Sequence, residues 1–282
     1  IAAKASEKEL DELTKILYSK IPKRTYVGEK IKLSGDNIKN WLDDLDAFES
    51  ALNNFESPTV ELSVKYLLKY VDKNQNLWYN INRLVESSTR NRHSYLPGKI
   101  KVLNIWEVTN VPDSFIEKQK AVACEFTNVY FPLIFQPART DIEQKCNCQC
   151  LIHGSRTCNI GSILSTGFRL PKELIGVTIN GAMFGSGCYH ASDWKKSAGY
   201  CSIKNGYFSN GSGAINNREA FIFLNDVILG NPYIVSRSQN FNSPPKGYHS
   251  VIADTKGGLQ NEEFIVYNLD MFYPRYLIEF AV

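Results

Sequence analysis

The chain has 282 residues, of which 43% are hydrophobic and 12% aromatic, so it is long enough to bury one or two apolar cores. Its 32 basic and 29 acidic residues are interspersed and give a net charge of +3, so the composition gives no indication of nucleic-acid binding. No apolar run reaches the roughly 18 residues of a membrane span, and the first residues lack the pattern of a signal peptide. We therefore expect an intracellular protein that does not bind membranes.

The cysteine count and the first residue add two expectations. Seven cysteines are an odd number, which favours free thiols in a reducing compartment over a framework of disulfides. The chain begins with Ile1 instead of Met, which predicts a segment of a longer protein.

Two amphipathic helices are predicted before the first strand. Ser6 and Glu9 form a capping-box pattern, and leucines then recur at helical spacing until Pro22. Asp36 is placed to cap a second helix with its own apolar face. Neither helix can bury its apolar face alone, so residues 1–56 are predicted to form a small helical region that packs on itself or on the rest of the chain.

From residue 57 onward the hydrophobic period is mostly that of strands. Alternating residues from Val60 to Tyr70 predict a strand, residues 77–85 a helix, and residues 100–108 another strand. The segment 109–150 contains three prolines and is predicted to be an irregular inserted connection. The clearest late strands are predicted in the stretches FIFLNDVIL, EEFIVYN and RYLIEFAV.

The stretch LIHGSRTCNIGSIL places His153 near the end of a predicted strand, with small polar residues directly after it. Gly154 would let a ligand approach the backbone, so that its N–H and C=O could bind an amide. His153 and Ser155 would point to the same face of the strand. A short helix from Asn159 comes next, and Arg169 lies just beyond it. This combination favours a ligand-binding wall over a plain core.

Two later stretches carry further polar candidates. In MFGSGCYHASDWKKSAGYC, a tight turn and a short extended segment precede a helix on which Ser197 and Tyr200 share a face. A hydroxyl group beside an aromatic ring suits a small planar amide, because one group pairs with the amide and the other covers its ring. In NEEFIVYN, an acidic residue precedes an apolar strand, and the pleat decides whether Glu262 or Glu263 turns inward.

The ordered motifs HGSR, MFGSGCY, KKSAGYC and EFIVY resemble the catalytic domain of the poly(ADP-ribose) polymerases, in the diphtheria-toxin-like branch of the ADP-ribosyltransferases. The resemblance runs from about Val60 to the C-terminus and includes NDVILGNPY and PPKGYHSV. It implies an α+β fold with a split antiparallel β-sheet over residues 57–282. The catalytic His, Tyr and Glu of the family match His153, Tyr189 and Glu263. The stretches LYSKIP and LDDLDAFESAL resemble the later half of the family's helical regulatory domain.

The same resemblance implies a role for each remaining candidate. For the nicotinamide end, it implies that Gly154 and Ser197 bind the carboxamide and that Tyr189 and Tyr200 stack on the ring. For the adenosine end, it implies that His153 and Ser155 bind the ribose and that Asn159 and Arg169 contact the adenine. Met183 and Lys196 would lie on the acceptor side. NAD+ would be a consumed substrate. MFGSG supplies only the first part of a dinucleotide-binding fingerprint, so hydride transfer is not expected.

The sequence departs from the family pattern at three places. His190 replaces an aromatic residue, the connection before Glu263 is short, and Asn261 stands where several members carry Tyr. This region lines the acceptor side in the family, so transfer of single ADP-ribose groups is an alternative to the polymer formation that we expect. A second alternative is a module that binds NAD+ or ADP-ribose without turnover.

The resemblance also implies partners and a location. It implies acceptor proteins that include the chain itself, a DNA-damage context supplied by domains outside this chain, a nuclear location and a monomer. No metal is expected. The stretch CNCQC places Cys146, Cys148 and Cys150 closer together than zinc ligands usually lie, with no evident fourth ligand, so a structural metal there is the less favoured alternative.

Overall fold

The computed structural model describes residues 65–88, 100–125, 140–171, 183–203 and 219–282. The strands in these residues are β1 Leu68–Tyr70, β2 Lys101–Val108, β3 Cys148–Gly154, β4 Cys188–His190, β5 Glu219–Ile228, β6 Pro232–Val235, β7 Ser250–Ala253, β8 Glu263–Val266 and β9 Phe272–Ala281. The helices are α1 Asn76–Ser88, α2 Asp113–Glu125, α3 Asp141–Lys145, α4 Thr157–Thr166 and α5 Trp194–Ala198.

The strands form two sheets, which confirms the predicted α+β fold with a split sheet. One sheet has the strand order β1-β2-β9-β5-β3, and the other has the order β4-β8-β7-β6. Neighbouring strands are antiparallel, except that β6 and β7 run parallel. In the described residues, the apolar clusters are built from both strands and helices, so packing of helices on the sheets forms the core.

The long central strands separate two apolar clusters. Successive side chains of a strand point to opposite faces, so Phe223 packs on one side of β5 while Ile222 and Leu224 pack on the other. On the second side, Trp194 of α5 is fully buried, with its ring 5.1 Å from that of Phe280. Helix α5, which carries several candidate site residues, is therefore anchored to the larger sheet.

A polar network is built into β5 and β9. Asp226 is almost fully buried, and its carboxylate accepts a hydrogen bond from Arg275 at 2.9 Å and another from the Tyr273 hydroxyl at 3.3 Å. A buried carboxylate is tolerated only when such partners replace its hydration. Burial, together with the charge of Asp226, raises the pKa of Tyr273, so this hydroxyl stays protonated and can donate.

Two features differ from the sequence expectations for this part of the chain. The segment 109–150 contains the regular helices α2 and α3, because Pro112 directly precedes the first helix and Thr140 caps the second in a capping box with Glu143. That the segment is an insertion stays a prediction. A strand is predicted over residues 60–70, of which the structure describes residues 65–70. Within these residues the strand is shorter than predicted and comprises Leu68–Tyr70.

The predicted helical region 1–56 lies outside the described residues, so it stays a prediction. In the part of the chain that the structure describes, no helix combines the length and apolarity needed to cross a membrane.

Replacing Asp226 with Ala should lower the free energy of unfolding by about 2–3 kcal/mol. This is less than the roughly 3–5 kcal/mol typical of a fully buried broken pair, because Arg275 keeps partial access to water. Chemical denaturation of the variant measures the change. Glu117→Ala, on an exposed position of α2, is the control and should shift stability by less than about 0.5 kcal/mol. Equal effects of the two substitutions would contradict a stabilising network.

Candidate active site

Two backbone hydrogen bonds join the two sheets next to the candidate residues. The N–H of Ile152 in β3 donates to the carbonyl of Ala191 at 2.8 Å, and the N–H of Ala191 donates back at 2.9 Å. The Ser197 hydroxyl also donates to the carbonyl of Ile152, at 3.0 Å. We call this contact, formed by Ile152, Ala191 and Ser197, the sheet junction. It places the end of β3, the end of β4 and helix α5 side by side.

His153 lies directly after the sheet junction and is half-buried. Its Nδ1 lies 2.8 Å from the carbonyl oxygen of Tyr189, and a carbonyl can only accept, so Nδ1 carries the proton. The edge of the Phe168 ring packs on the imidazole, with centroids 5.2 Å apart. Burial lowers the pKa of His153, so the ring is neutral at neutral pH. The lone pair on Nε2 is therefore the acceptor left for a ligand hydroxyl.

The phenol hydroxyl of Tyr189 both accepts and donates a hydrogen bond. It accepts from the N–H of Phe184 and donates to the carbonyl of Gly185, each at 2.9 Å. Burial raises its pKa, the Phe184 N–H opposes this, and the nearby groups of Glu263 and Tyr200 raise it further. The ring is thus fixed in position, uncharged, and close to two other predicted site residues.

Strand register explains why Glu263 comes near Tyr189. In the antiparallel pair β4 and β8, Tyr189 lies opposite Ile265, so Glu263, two residues along β8, faces the same side of the sheet. Its carboxylate pairs with Lys196 Nζ at 2.6 Å, and both side chains are nearly buried, at 12% and 13% exposure. Glu262 lies just before β8, and its backbone carbonyl is 3.5 Å from Lys196 Nζ.

Helix α5 carries Lys196 and Ser197, and a side-chain cap fixes where the helix begins. The Asp193 side chain caps the helix by accepting from the N–H of Lys196 at 3.0 Å. Desolvation lowers the pKa of Lys196, and the negative charges of Glu263 and Asp193 partly offset that effect. The ammonium group therefore depends on its carboxylate neighbours to remain charged.

Gly154 has no room for a side chain. A Cβ atom placed there would lie 1.8 Å from the carbonyl oxygen of Ser197, which is far inside van der Waals contact. The backbones of β3 and α5 thus touch directly at this point. The Ser197 hydroxyl already donates its hydrogen to the carbonyl of Ile152. In this arrangement the Ser197 oxygen can only accept a hydrogen bond from a ligand.

The remaining predicted residues divide into two groups. Asn159 donates to the Ser155 hydroxyl at 3.0 Å, so these two form a pair just after His153. Arg169 and Met183 are exposed, and Arg169 forms no hydrogen bond or ion pair with a described residue. The structure therefore gathers His153, Tyr189, Lys196, Ser197 and Glu263, which we call the candidate site. Tyr200 lies just after the end of helix α5, and its charge would raise the pKa of Tyr189.

Two polar residues beside the candidate site are not predicted from the sequence as part of it. His190 is buried next to His153, with ring centroids 5.6 Å apart, and its Nε2 lies 3.1 Å from the amide nitrogen of Asn225. Asn225 is itself fully buried in β5. The available signals are a histidine at an aromatic position of the family pattern and an asparagine within an apolar strand.

The cysteines of CNCQC do not form a metal-binding group of three within the described residues. Cys146 follows α3, and Asn147 has a positive φ of 50°, which interrupts the strand alternation before Cys148. All three thiols are buried in the apolar core. The less favoured interpretation of this stretch as a structural metal site thus finds no support in the geometry.

Comparisons with known proteins agree with the geometry. The family model described as the poly(ADP-ribose) polymerase catalytic domain matches residues 78–258. Poly(ADP-ribose) polymerase 1 of Gallus gallus is 39% identical over 105 residues, which are 37% of this chain and 9% of the relative. Poly(ADP-ribose) polymerase 2 of Zea mays is 32% identical over 162 residues, 47% of this chain and 23% of the relative.

A third relative carries a different activity in its name. Protein mono-ADP-ribosyltransferase PARP3 of Gallus gallus is 28% identical over 157 residues, 55% of this chain and 22% of the relative. The chain spans less than a quarter of the length of each of these three proteins. Fold and site define a domain of the NAD+ ADP-ribosyltransferase class. Because the family model covers more than half of it, the chain belongs to the poly(ADP-ribose) polymerase catalytic-domain family.

Gly154→Ala should destabilise the chain by at least about 2 kcal/mol, because the added methyl group forces β3 and α5 apart. It should also weaken nicotinamide binding, measured by calorimetry on whatever fraction remains folded. The matched control is Gly161→Ala in α4, where a Cβ meets nothing within 4 Å. That variant should be as stable as the parent or more stable by up to about 1 kcal/mol. Unchanged stability and nicotinamide binding in Gly154→Ala would contradict the close backbone contact.

Proposed function

We propose that this chain transfers ADP-ribose from NAD+ to protein acceptors and releases nicotinamide. The observation that carries the proposal is the position of Glu263: its carboxylate is nearly buried and faces the same side of the sheet as Tyr189, whose backbone carbonyl binds His153. Membership of the family supports the reaction class.

The chemistry makes modest demands on the protein. Nicotinamide leaves the C1 carbon of its ribose as a neutral pyridine, so no strong acid is required. The obstacle is the positive charge that develops on the sugar, and a fixed carboxylate in a poorly solvated site stabilises such charge. Glu263 would fill this role by accepting a hydrogen bond from the ribose 2′-hydroxyl and by polarising the incoming acceptor.

The other residues of the candidate site would bind and orient NAD+. Gly154 and Ser197 would hold the carboxamide, while Tyr189 and Tyr200 would cover the cationic ring, a contact worth about 0.5–2 kcal/mol. The neutral Nε2 of His153 would accept from the adenosine ribose, beside the paired side chains of Ser155 and Asn159. Arg169 would contact the adenine end from its exposed position, and Met183 would lie on the acceptor side. No metal is needed for these steps.

Polymer formation is the finer part of the proposal. A ribose hydroxyl of ADP-ribose that is already attached is chemically similar to the hydroxyl of a serine acceptor, so the same carboxylate could activate both. The alternative is transfer of single groups. It is favoured by the short connection from Ala253 to Glu263, which leaves little chain to hold a growing polymer, and by the buried Asn261 within it.

We further propose that the acceptors include the chain itself and that it acts as a monomer in the nucleus. A DNA-damage context would come through segments outside this chain. These proposals rest on the resemblance of the sequence motifs to the poly(ADP-ribose) polymerase family.

Replacing Glu263 with Gln tests the proposal directly. The amide keeps the shape of the side chain but loses its charge, so the rate of nicotinamide release should fall about 100- to 1000-fold, corresponding to some 2.7–4 kcal/mol. Radiolabelled NAD+ with denaturing gels reports both the transfer and the length of the product. Glu262→Gln, directly before the strand, is the control: Lys196 pairs with the carboxylate of Glu263, so this variant should keep at least about half of the activity.

The outcomes separate the alternatives. No label on protein and no loss of NAD+ with the parent chain would reject the transferase function and leave a binding module. A single discrete labelled product would reject polymer formation. Equal losses in the two variants would reject the catalytic role of the Glu263 charge.

The ion pair of Lys196 and Glu263 predicts a particular pH dependence. Desolvation lowers the pKa of Lys196 below its usual 10.5, so its charge is lost at a lower pH than that of a free lysine. Nicotinamide release should therefore decline as the pH rises through this lowered pKa. Arginine stays charged throughout this range, so Lys196→Arg should keep its relative rate to higher pH.

The measurement is a pH–rate profile for each protein, normalised near neutral pH and corrected for spontaneous breakdown of NAD+ in base. Lys69→Arg, at an exposed position of β1 away from the ion pair, is the control and should behave like the parent chain. Superimposable alkaline limbs for the parent and Lys196→Arg would show that Lys196 does not set this dependence.

A further inference from the structure

Three potential metal ligands converge behind the candidate site. They are His153 from β3 together with Cys188 and His190 from β4, and one ligand atom from each lies within 4.8 Å of the others. The sulfur of Cys188 is 3.9 Å from Nδ1 of His153. The sheet junction brings these residues together, since Ile152 and Ala191 are the chain neighbours of His153 and His190.

The hydrogen bonding of His190 gives a second, independent indication. Among the described residues its buried Nδ1 has no partner that meets hydrogen-bond geometry, although backbone carbonyl groups of Cys188 and Phe264 lie near the ring, and Oδ1 of Asn225 also has no such partner. A half-turn of the Asn225 amide exchanges its oxygen and nitrogen with almost no change in shape. Nε2–H of His190 would then donate to Oδ1 of Asn225, which leaves the lone pair of Nδ1 for a cation. A histidine that binds metal usually donates its other N–H to such an oxygen.

The donor atoms select the kind of cation. One sulfur and two imidazole nitrogens form a set typical of zinc, and magnesium and calcium prefer oxygen ligands. Tetrahedral zinc, with bonds of about 2.0–2.3 Å, places its ligand atoms roughly 3.3–3.7 Å apart. The sulfur and Nδ1 of His153 are already near that separation, and the other pairs, which lie within 4.8 Å, need to close by about 1 Å at most. The carbonyl oxygen of Tyr189, 2.8 Å from the same nitrogen, or a water molecule could complete the coordination.

We propose that this chain binds one zinc ion through His153, Cys188 and His190, and that the ion inhibits ADP-ribose transfer. The inhibitory part rests on the proposed function, whereas the binding part does not. On binding, the Cys188 thiol releases its proton to solvent, and the His153 proton moves from Nδ1 to Nε2. The hydrogen bond to Tyr189 is then lost, and Nε2 changes from an acceptor to a donor. A ribose hydroxyl would no longer meet the lone pair that it needs.

The buried setting restricts which ions can bind. The Cys188 thiol is buried, so the ion must bond to sulfur strongly enough to displace the thiol proton. Zinc meets this requirement, and magnesium does not.

Cobalt(II) is the spectroscopic probe for the binding test. The purified chain is freed of metal with a chelator and titrated with cobalt(II), whose absorption reports bonds to a thiolate and tetrahedral geometry. We expect one cobalt ion per chain with a thiolate band that zinc abolishes. His190→Phe and Cys188→Ala should each weaken binding at least tenfold, while Cys124→Ser, which removes an exposed thiol, should have no effect. Circular dichroism confirms that each variant is folded.

The binding part is overturned if the parent chain shows no thiolate band, or if His190→Phe and Cys188→Ala keep the affinity of the parent. His190→Phe restores the aromatic residue of the family pattern beside Phe272, so it is the variant least expected to disturb the fold.

Zinc titration of nicotinamide release tests the inhibitory part. The parent chain should be inhibited, His190→Phe should need at least tenfold more zinc, and magnesium should not inhibit at the same concentrations. Equal inhibition of the parent and His190→Phe would overturn the inhibitory role. If the parent chain releases no nicotinamide even without zinc, the proposed function fails, but the cobalt titration still decides whether the metal site exists.

Discussion

The candidate site depends on the pair of backbone hydrogen bonds between Ile152 and Ala191. A split sheet presents two open edges, and this short pairing fixes one edge against the other at the position where the polar residues emerge. The carbonyl of Ile152 accepts from both Ala191 and Ser197, so both of its lone pairs are used. The sheets and helix α5 are therefore held by one peptide group, and this contact sets the spacing between His153 and Tyr189.

Electrostatic balance is the second constraint on the site. Glu263 and Lys196 are both nearly buried, and each would be costly to charge alone. Paired, the carboxylate and the ammonium group add no net charge, and a fixed carboxylate is what a reaction with a developing positive sugar requires. The charged form of Lys196 is destabilised by burial, since desolvation lowers its pKa in spite of the neighbouring carboxylates. A substrate hydroxyl that hydrogen-bonds to Glu263 would share the carboxylate with Lys196 without having to expel it.

Much of the larger sheet can be predicted from sequence, because its strands are long apolar runs. Strand β8 falls within its predicted stretch, β5 and β9 overlap theirs but begin two and three residues earlier, and helix α1 matches its predicted apolar spacing. The start of α5 is set by Asp193, whose carboxylate accepts from the N–H of Lys196, and an aspartate directly before a helix is a common cap. Helix α2 is not predicted when Pro112 is treated only as a breaker, although a proline directly before a helix is compatible with its start.

Features that depend on pairing between distant segments cannot be predicted in the same way. Nothing in the residues of β6 and β7 specifies that they run parallel, because the connection between them sets their direction. The choice of Glu263 over Glu262 also requires the register of β8 against β4. Cys188 and His190 lie far along the chain from His153, so no local spacing indicates that the three meet.

The two nitrogens of His153 connect the sheet junction with the chemistry. A neutral imidazole carries one proton, and the carbonyl of Tyr189 keeps that proton on Nδ1, which makes Nε2 an acceptor. Whatever competes for Nδ1 therefore reverses the hydrogen-bonding role of Nε2 without any movement of the strands. Burial, which lowers the pKa of His153, removes the simplest competitor, a second proton. Cys188 and His190 stand on the Nδ1 side, and a cation bridging them to His153 would be the competitor that burial does not exclude.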